Sequence, residues 1–165
     1  MKNEPADDLI TLEAHELKET DASLRIMGDD LDPDEVTRLL GALPTKGSKK
    51  GEFFYTSTGS RHRSRTGIWA LQVEHQRPGN LDKQIEQLLE PLTDDLAIWN
   101  DLAARFKLEI FCGLFTEEYN SRMTLAPNTV LALGSRGIVI DFDIYADLDG
   151  AYDALLQRTG LFKKK

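Results

Sequence analysis

The stretch SLRIMGDDLDPDEVTRLLG, residues 23–41, decides how the rest of the chain is read. Leu24 and Ile26 alternate with Ser23, Arg25 and Met27, the two-residue period of a half-buried strand. Gly28 breaks the run. Asp32 offers a side-chain acceptor to the free N–H groups of a helix start, and Pro33 suits the first helical position, where no N–H is needed. Asp34 and Glu35 then sit at the positive end of the helix dipole. Val36, Leu39 and Leu40 make one apolar face, and Gly41 permits the left-handed turn that closes a helix. The stretch predicts a strand, a tight acidic loop and a proline-opened helix.

The same order returns later. Leu108, Ile110, Cys112 and Leu114 alternate with Glu109, Phe111 and Gly113, predicting a strand over 107–115. After a polar loop, Leu125-x-Pro127-x-x-Val130-x-x-Leu133 repeats the spacing of Leu31-x-Pro33-x-x-Val36-x-x-Leu39, with Gly134 or Gly137 as the stop. Two related βα units, one starting near Leu24 and one near Ile110, are therefore expected. Between them, 44–65 reads as a loop around a short strand at 52–56, punctuated by Pro44, Gly47, Gly51 and Gly59. A strand at 66–75 carries Trp69, Leu71 and Val73 on one side. Leu81, Ile85, Leu88, Leu89 and Leu92 recur at helical spacing up to a break at Pro91. Thr93 is read as the cap of a further helix with Leu96, Trp99, Leu102, Ala103 and Phe106 on its stripe. A last strand, 138–145, turns Ile140, Phe142 and Ile144 inward, and Leu148, Tyr152, Leu155 and Leu156 allow a final short helix. The fold class is thus α+β: one mixed or antiparallel sheet with helices on one face. A topology related to the ferredoxin-like folds is among those that two βα units admit. The 165 residues suit one domain, with 1–20 as a peripheral segment, 22–145 as the core and 146–165 as a helix with a basic tail.

The run SLRIMGDDLDPDEVTRLLGALPT, the later RTGIW, CGLF, LAPNTVLALGSRG and DFDIY together resemble a bacterial family known as domain of unknown function 4279. The resemblance covers roughly residues 22–145, and GDDLDPDEVT is its most specific part. It implies a single domain of bacterial and cytoplasmic origin, and it assigns no activity and no catalytic residue.

Composition narrows the function classes. The net charge is −8, which disfavours nucleic acid as a partner, because phosphate neutralisation supplies most non-specific affinity. The charge is uneven, however. Residues 46–65 hold Lys46, Lys49, Lys50, Arg61, Arg63 and Arg65 against Glu52 alone, a local +5, so the rest of the chain carries −13. The N-terminus lacks the basic start and apolar run of a secretory signal, and the apolar stretches are strand-sized, so a cytoplasmic, membrane-free protein is expected. The single cysteine, Cys112, alternates onto an apolar strand face and reads as an inert core residue.

Motifs that carry chemistry are sparse. His15, His62 and His75 have no metal-helix spacing, and the acids around Pro33 lack the calcium-loop pattern, so neither metal nor cofactor is expected. LPTKGSKKGE has glycines and lysines at the wrong spacing for a phosphate loop. No catalytic residue is assigned. Asp29 and Asp30 are candidate ligand contacts because they sit at a strand end. Lys49, Lys50, Arg61, Arg63 and Arg65 form a candidate anion-binding loop. The strand faces opposite the apolar side hold Arg25, Gln72, Glu74, Glu109, Asp141 and Asp143, and five of these, Glu74, Glu109, Asp141, Asp143 and Arg25, make a candidate partner-binding face. The leading expectation is a non-enzymatic protein that binds another protein, with an immunity-type protein neutralising a basic toxin as its specific form. The alternatives are an enzyme of unrecognised type, with Asp29, Asp30 and the arginine loop around one cleft, or a sensor of small anions.

Overall fold

The computed structural model describes residues 15–56, 58–118 and 120–146. In chain order the elements are β1 (His15–Glu16), β2 (Glu19–Gly28), α1 (Pro33–Leu40), β3 (Lys46–Ser48), β4 (Phe53–Tyr55), β5 (Arg61–Arg63), β6 (Gly67–Gln72), α2 (Leu81–Leu89), α3 (Leu96–Arg105), β7 (Lys107–Thr116), β8 (Ser121–Arg122), α4 (Pro127–Ser135) and β9 (Val139–Ala146). The short helix expected near Leu148–Leu156 lies outside the described residues. Among them, no helix is long and apolar enough to cross a membrane.

Five strands form one mixed sheet in the order β3–β6–β2–β7–β9. All neighbours are antiparallel except β7 and β9. The register explains the sidedness. Ile26 lies opposite both Trp69 and Leu108, and Leu24 opposite both Leu71 and Ile110, so the alternating apolar sets of three strands coincide on one face. Helical residues Val36, Leu40, Ile85, Leu88, Trp99 and Leu102 close over that face, each at most 1% exposed. Burying one such side chain stabilises by about 1.5–3 kcal/mol. The two core tryptophans satisfy their indole N–H groups: Trp69 donates to Thr37 Oγ1 at 3.0 Å and Trp99 to the Thr93 carbonyl at 2.8 Å.

The first βα unit is the one read from residues 23–41. Asp32 accepts from Asp34 N at 3.0 Å, Pro33 opens α1, and Gly41 closes it with φ +84°. A close approach follows. Gly67 pairs with Gly28, and a Cβ on Gly67 would meet Gly28 O at 2.7 Å and Leu31 O at 2.8 Å, so the exit from β2 needs glycine there. The chain returns from α1 to β3, which runs parallel to β2 with antiparallel β6 between them. This is a split βαβ connection of the kind ferredoxin-like folds use. The second unit differs: β7, α4 and β9 form an unsplit βαβ with its strands adjacent.

Four expectations are corrected. The strand read as 66–75 ends at Gln72. Ser23 pairs with Gln72 but Thr20 bridges Gln76, so three residues face two and the β6 side bulges. The cap of α3 is Asp95, whose carboxylate accepts from Ala97 N at 2.9 Å, and Thr93 instead accepts from Asp95 N one turn earlier. Leu96, as the first residue of that helix, is at the surface. On β9, Ile140 packs against the core, but Phe142 is 39% and Ile144 65% exposed. Both share the core face by register, yet β9 is the last strand of the sheet and runs out from beneath the core cluster.

Candidate functional site

The sheet face away from the helices is where polar side chains of several strands meet. Arg25, Glu109 and Val139 are successive cross-strand neighbours on β2, β7 and β9, and Phe111 and Asp141 form the next β7–β9 pair. Glu109 is only 3% exposed. Its carboxylate is ion-paired with Lys107 Nζ and lies 3.8 Å from Arg25 Nη1, and the pairing holds the Lys107 ammonium above its ordinary value. Arg25 also lies 3.9 Å over the Phe111 ring and donates from Nε to Ser23 Oγ at 3.2 Å. The middle of this face is therefore neutralised and partly apolar, not an open acidic sheet.

The acidic character sits toward one end. On β9, Asp141 is exposed and Asp143 half-buried. Tyr145 donates its hydroxyl to Asp143, which raises the pKa of the phenol, and its ring stacks on Phe115 with centroids 5.0 Å apart. Phe115 in turn meets His75 at 6.1 Å. The bulge brings His75 here: its ring nitrogens bond Asp21 Oδ1 at 2.9 Å and Glu19 Oε2 at 2.8 Å, and Arg77 reaches Glu19 Oε1 at 3.2 Å. Glu74 lies in the bulge, past the last paired residue of β6, and its backbone carbonyl accepts from Gln84. Of the five residues expected to share the face, the register aligns Arg25, Glu109, Asp141 and Asp143, and Glu109 among them is buried in ion pairs.

The basic stretch divides into two parts. Lys49 pairs with Asp32 at 2.8 Å and Lys50 with Asp29. These ammonium groups hold both carboxyls below the usual range. The strand-end acids and the basic loop do meet, through the lysines, while Asp30 stays exposed beside them. The arginines go elsewhere. β4 and β5 pair as an antiparallel ribbon, so Arg61, His62 and Arg63, read from sequence as loop, lie on a strand. With Lys50 and Arg65 they border a groove of about 590 Å³. The clue was present: Phe53, Phe54 and Tyr55, a polar turn with Gly59, then an alternating Arg61-His62-Arg63 is a short hairpin pattern.

Two other features are structural. A groove of about 1000 Å³ lies between α2 and α4, and three of its charged side chains, Asp82, Asp94 and Arg136, are engaged within the fold. Asp82 accepts from Ala126 N at 3.0 Å and from Thr129 Oγ1, and Arg136 bonds Ala132 O and Asp94. Cys112 is fully buried among core side chains, and burial pushes its thiol up to about 12. Among the described residues no three His, Cys, Asp or Glu side chains are grouped as metal ligands would be.

The family described as a domain of unknown function, DUF4279, matches residues 15–147. The chain belongs to this family. The match spans both βα units, the ribbon and every strand of the five-stranded sheet. No curated protein and no solved structure matches the chain.

Proposed function

We propose that this DUF4279 protein acts by binding another protein, a basic one, through the outer strand β9 and the adjoining end of the open sheet face. The observation that carries the reading is β9 itself. Among the described residues it is the last strand of the sheet, and it combines the carboxylates of Asp141 and Asp143 with exposed Val139, Ile144 and Tyr145. Edge strands are usually blunted by lysine, proline or a bulge, because their unpaired backbone groups recruit other chains. β9 has none of these devices. Acids beside apolar groups on such an edge match a partner that brings Lys or Arg together with an extended apolar segment. The specific form is an immunity-type bacterial protein of the cytoplasm that neutralises a basic toxin. The reading is supported by the −13 carried outside residues 46–65.

The test starts with affinity capture from the native host and mass spectrometry. Binding kinetics then compare the parent with the double variant Asp141→Lys, Asp143→Lys. Association is expected to slow by about tenfold at low salt, with the gap closing at high salt as screening removes the steering. Unchanged association with an intact fold would exclude β9 as the docking edge.

A further inference from the structure

The β4–β5 ribbon has two chemically different faces. Phe53 lies opposite Arg63 and Tyr55 opposite Arg61, so these four side chains share one face, while Phe54 and His62 share the other. The second face belongs to the fold: Phe54 stacks on His62 at 5.8 Å, and Lys46 of β3 lies 4.4 Å from the Phe54 ring. The first face is left to solvent, with Phe53 55% and Tyr55 71% exposed. Arg61 lies 3.7 Å over the Phe53 ring, an arrangement that orients a guanidinium and leaves its N–H edge able to fork onto an oxyanion. Arg63 is set by its Nε donating to Gly51 O at 3.1 Å, and Gly51, at φ +88°, leaves room that a Cβ would take 3.2 Å from the guanidinium.

No carboxylate borders the 590 Å³ groove beside this face. Three nearby acids are engaged, Asp29 by Lys50, Asp32 by Lys49 and Glu52 by the Lys49 N–H, and exposed Asp30 does not line the groove. The acids of β9 are remote. β3, which the ribbon adjoins, and β9 are the two edges of a five-stranded sheet. Four strand spacings make roughly 19 Å, beyond two Debye lengths at physiological salt.

We infer that the ribbon binds a nucleotide, free or at the end of a single strand. The phosphate lies against Arg61, Arg63 and Arg65, and the base lies against Tyr55. This goes beyond the docking of a protein on β9 and does not depend on it. An acidic peptide would match the arginines but not the exposed rings, whereas a base stacks on them. An extended nucleic acid is disfavoured by the net charge of −8 and by strands of three residues each.

Calorimetric titration of the full chain with adenosine monophosphate, adenosine, inorganic phosphate, a short single-stranded RNA and a poly-glutamate peptide tests this. The monophosphate is expected to bind at least about tenfold more tightly than adenosine or phosphate alone. Tyr55→Leu should weaken it by about tenfold, and Arg61→Gln with Arg63→Gln should abolish saturable binding. Both variants should keep the parent's melting temperature, because the ribbon face lies outside the core. Tighter binding of the RNA with a salt dependence no steeper than the monophosphate's would place the nucleotide at a strand end, a steep dependence would mean an extended strand and overturn the inference, and binding no better than the monophosphate would make the free nucleotide the ligand. The inference is overturned if neither the monophosphate nor the RNA saturates at millimolar concentration, if adenosine binds equally well, if the peptide binds more tightly, or if folded double variant binds as the parent does.

Discussion

Gln84 has no exposed surface, and its amide is fully used. Its Oε1 accepts from the Thr20 hydroxyl at 2.7 Å, and its Nε2 donates to Thr20 O at 3.0 Å and Glu74 O at 2.9 Å. It thereby ties α2 to β2 and to the bulge that carries His75. A buried polar group deprived of its partner costs about 1–3 kcal/mol. Gln84→Ala should accordingly lower unfolding free energy by about 2–3 kcal/mol, and Gln84→Leu, which restores volume but not hydrogen bonds, should recover little of it. Urea unfolding measures both; a loss below about 0.5 kcal/mol would show that the network is replaceable. At Cys112 the expectation is the opposite, an inert group. With its thiol pushed up to about 12 by burial, little thiolate exists at pH 8. Native protein should resist thiol reagents and react stoichiometrically once denatured. Rapid labelling of the folded chain would revive a reactive role.

The two proline-opened helices look alike in sequence and are capped differently. α1 carries its own cap in Asp32, whereas the matching position of α4 is Ala126, which has no side-chain cap. Asp82, at the start of α2, supplies the carboxylate instead. Asp32→Ala and Asp82→Ala should each cost about 1–2 kcal/mol in chemical unfolding, and a neutral result for Asp82→Ala would mean that Pro127 alone sustains the start of α4. The acids around α1 also predict a pH trend. Lys49 holds the Asp32 carboxyl below its ordinary value, Lys50 does so for Asp29, and Arg105 for Glu35. Groups with lowered pKa contribute stability above the ordinary carboxylate range and lose it as pH falls through their folded values. Thermal midpoints should therefore drop as the pH falls below about 4, less steeply in Asp32→Asn. Duplication of the βα unit has a geometric test as well. Superposing residues 31–39 on 125–133 should bring β2 onto β7, and gross divergence of those strands would count against it.

Across the whole molecule, stability should be graded from the sheet centre to its edges. β2 and β7 are paired on both sides, whereas β3 and β9 are the edge strands and the β4–β5 ribbon stands outside the sheet. Amide exchange should be slowest in β2 and β7, at rates set by global unfolding, and faster by local opening in β9 and the ribbon. Equal protection of β9 and β2 would show that the proposed docking edge is already covered. The same gradation separates the two candidate surfaces, since one lies at each edge of the sheet.

Sequence by itself determined the strand alternation at Leu24–Ile26 and Ile110–Cys112, the proline-opened helices, the core tryptophans and the family. These rest on periods and caps that act over a few residues, and they survive whatever the rest of the chain does. Only the tertiary structure decided that Glu109 is buried between Lys107 and Arg25, that the bulge substitutes His75 for Glu74, that Asp82 caps a helix 44 residues away, and that Arg61-His62-Arg63 is a strand facing Phe53 and Tyr55. Each of those outcomes depends on partners distant in sequence. Alternation can say which way a carboxylate points, but its desolvation and pairing follow from what the fold sets opposite it.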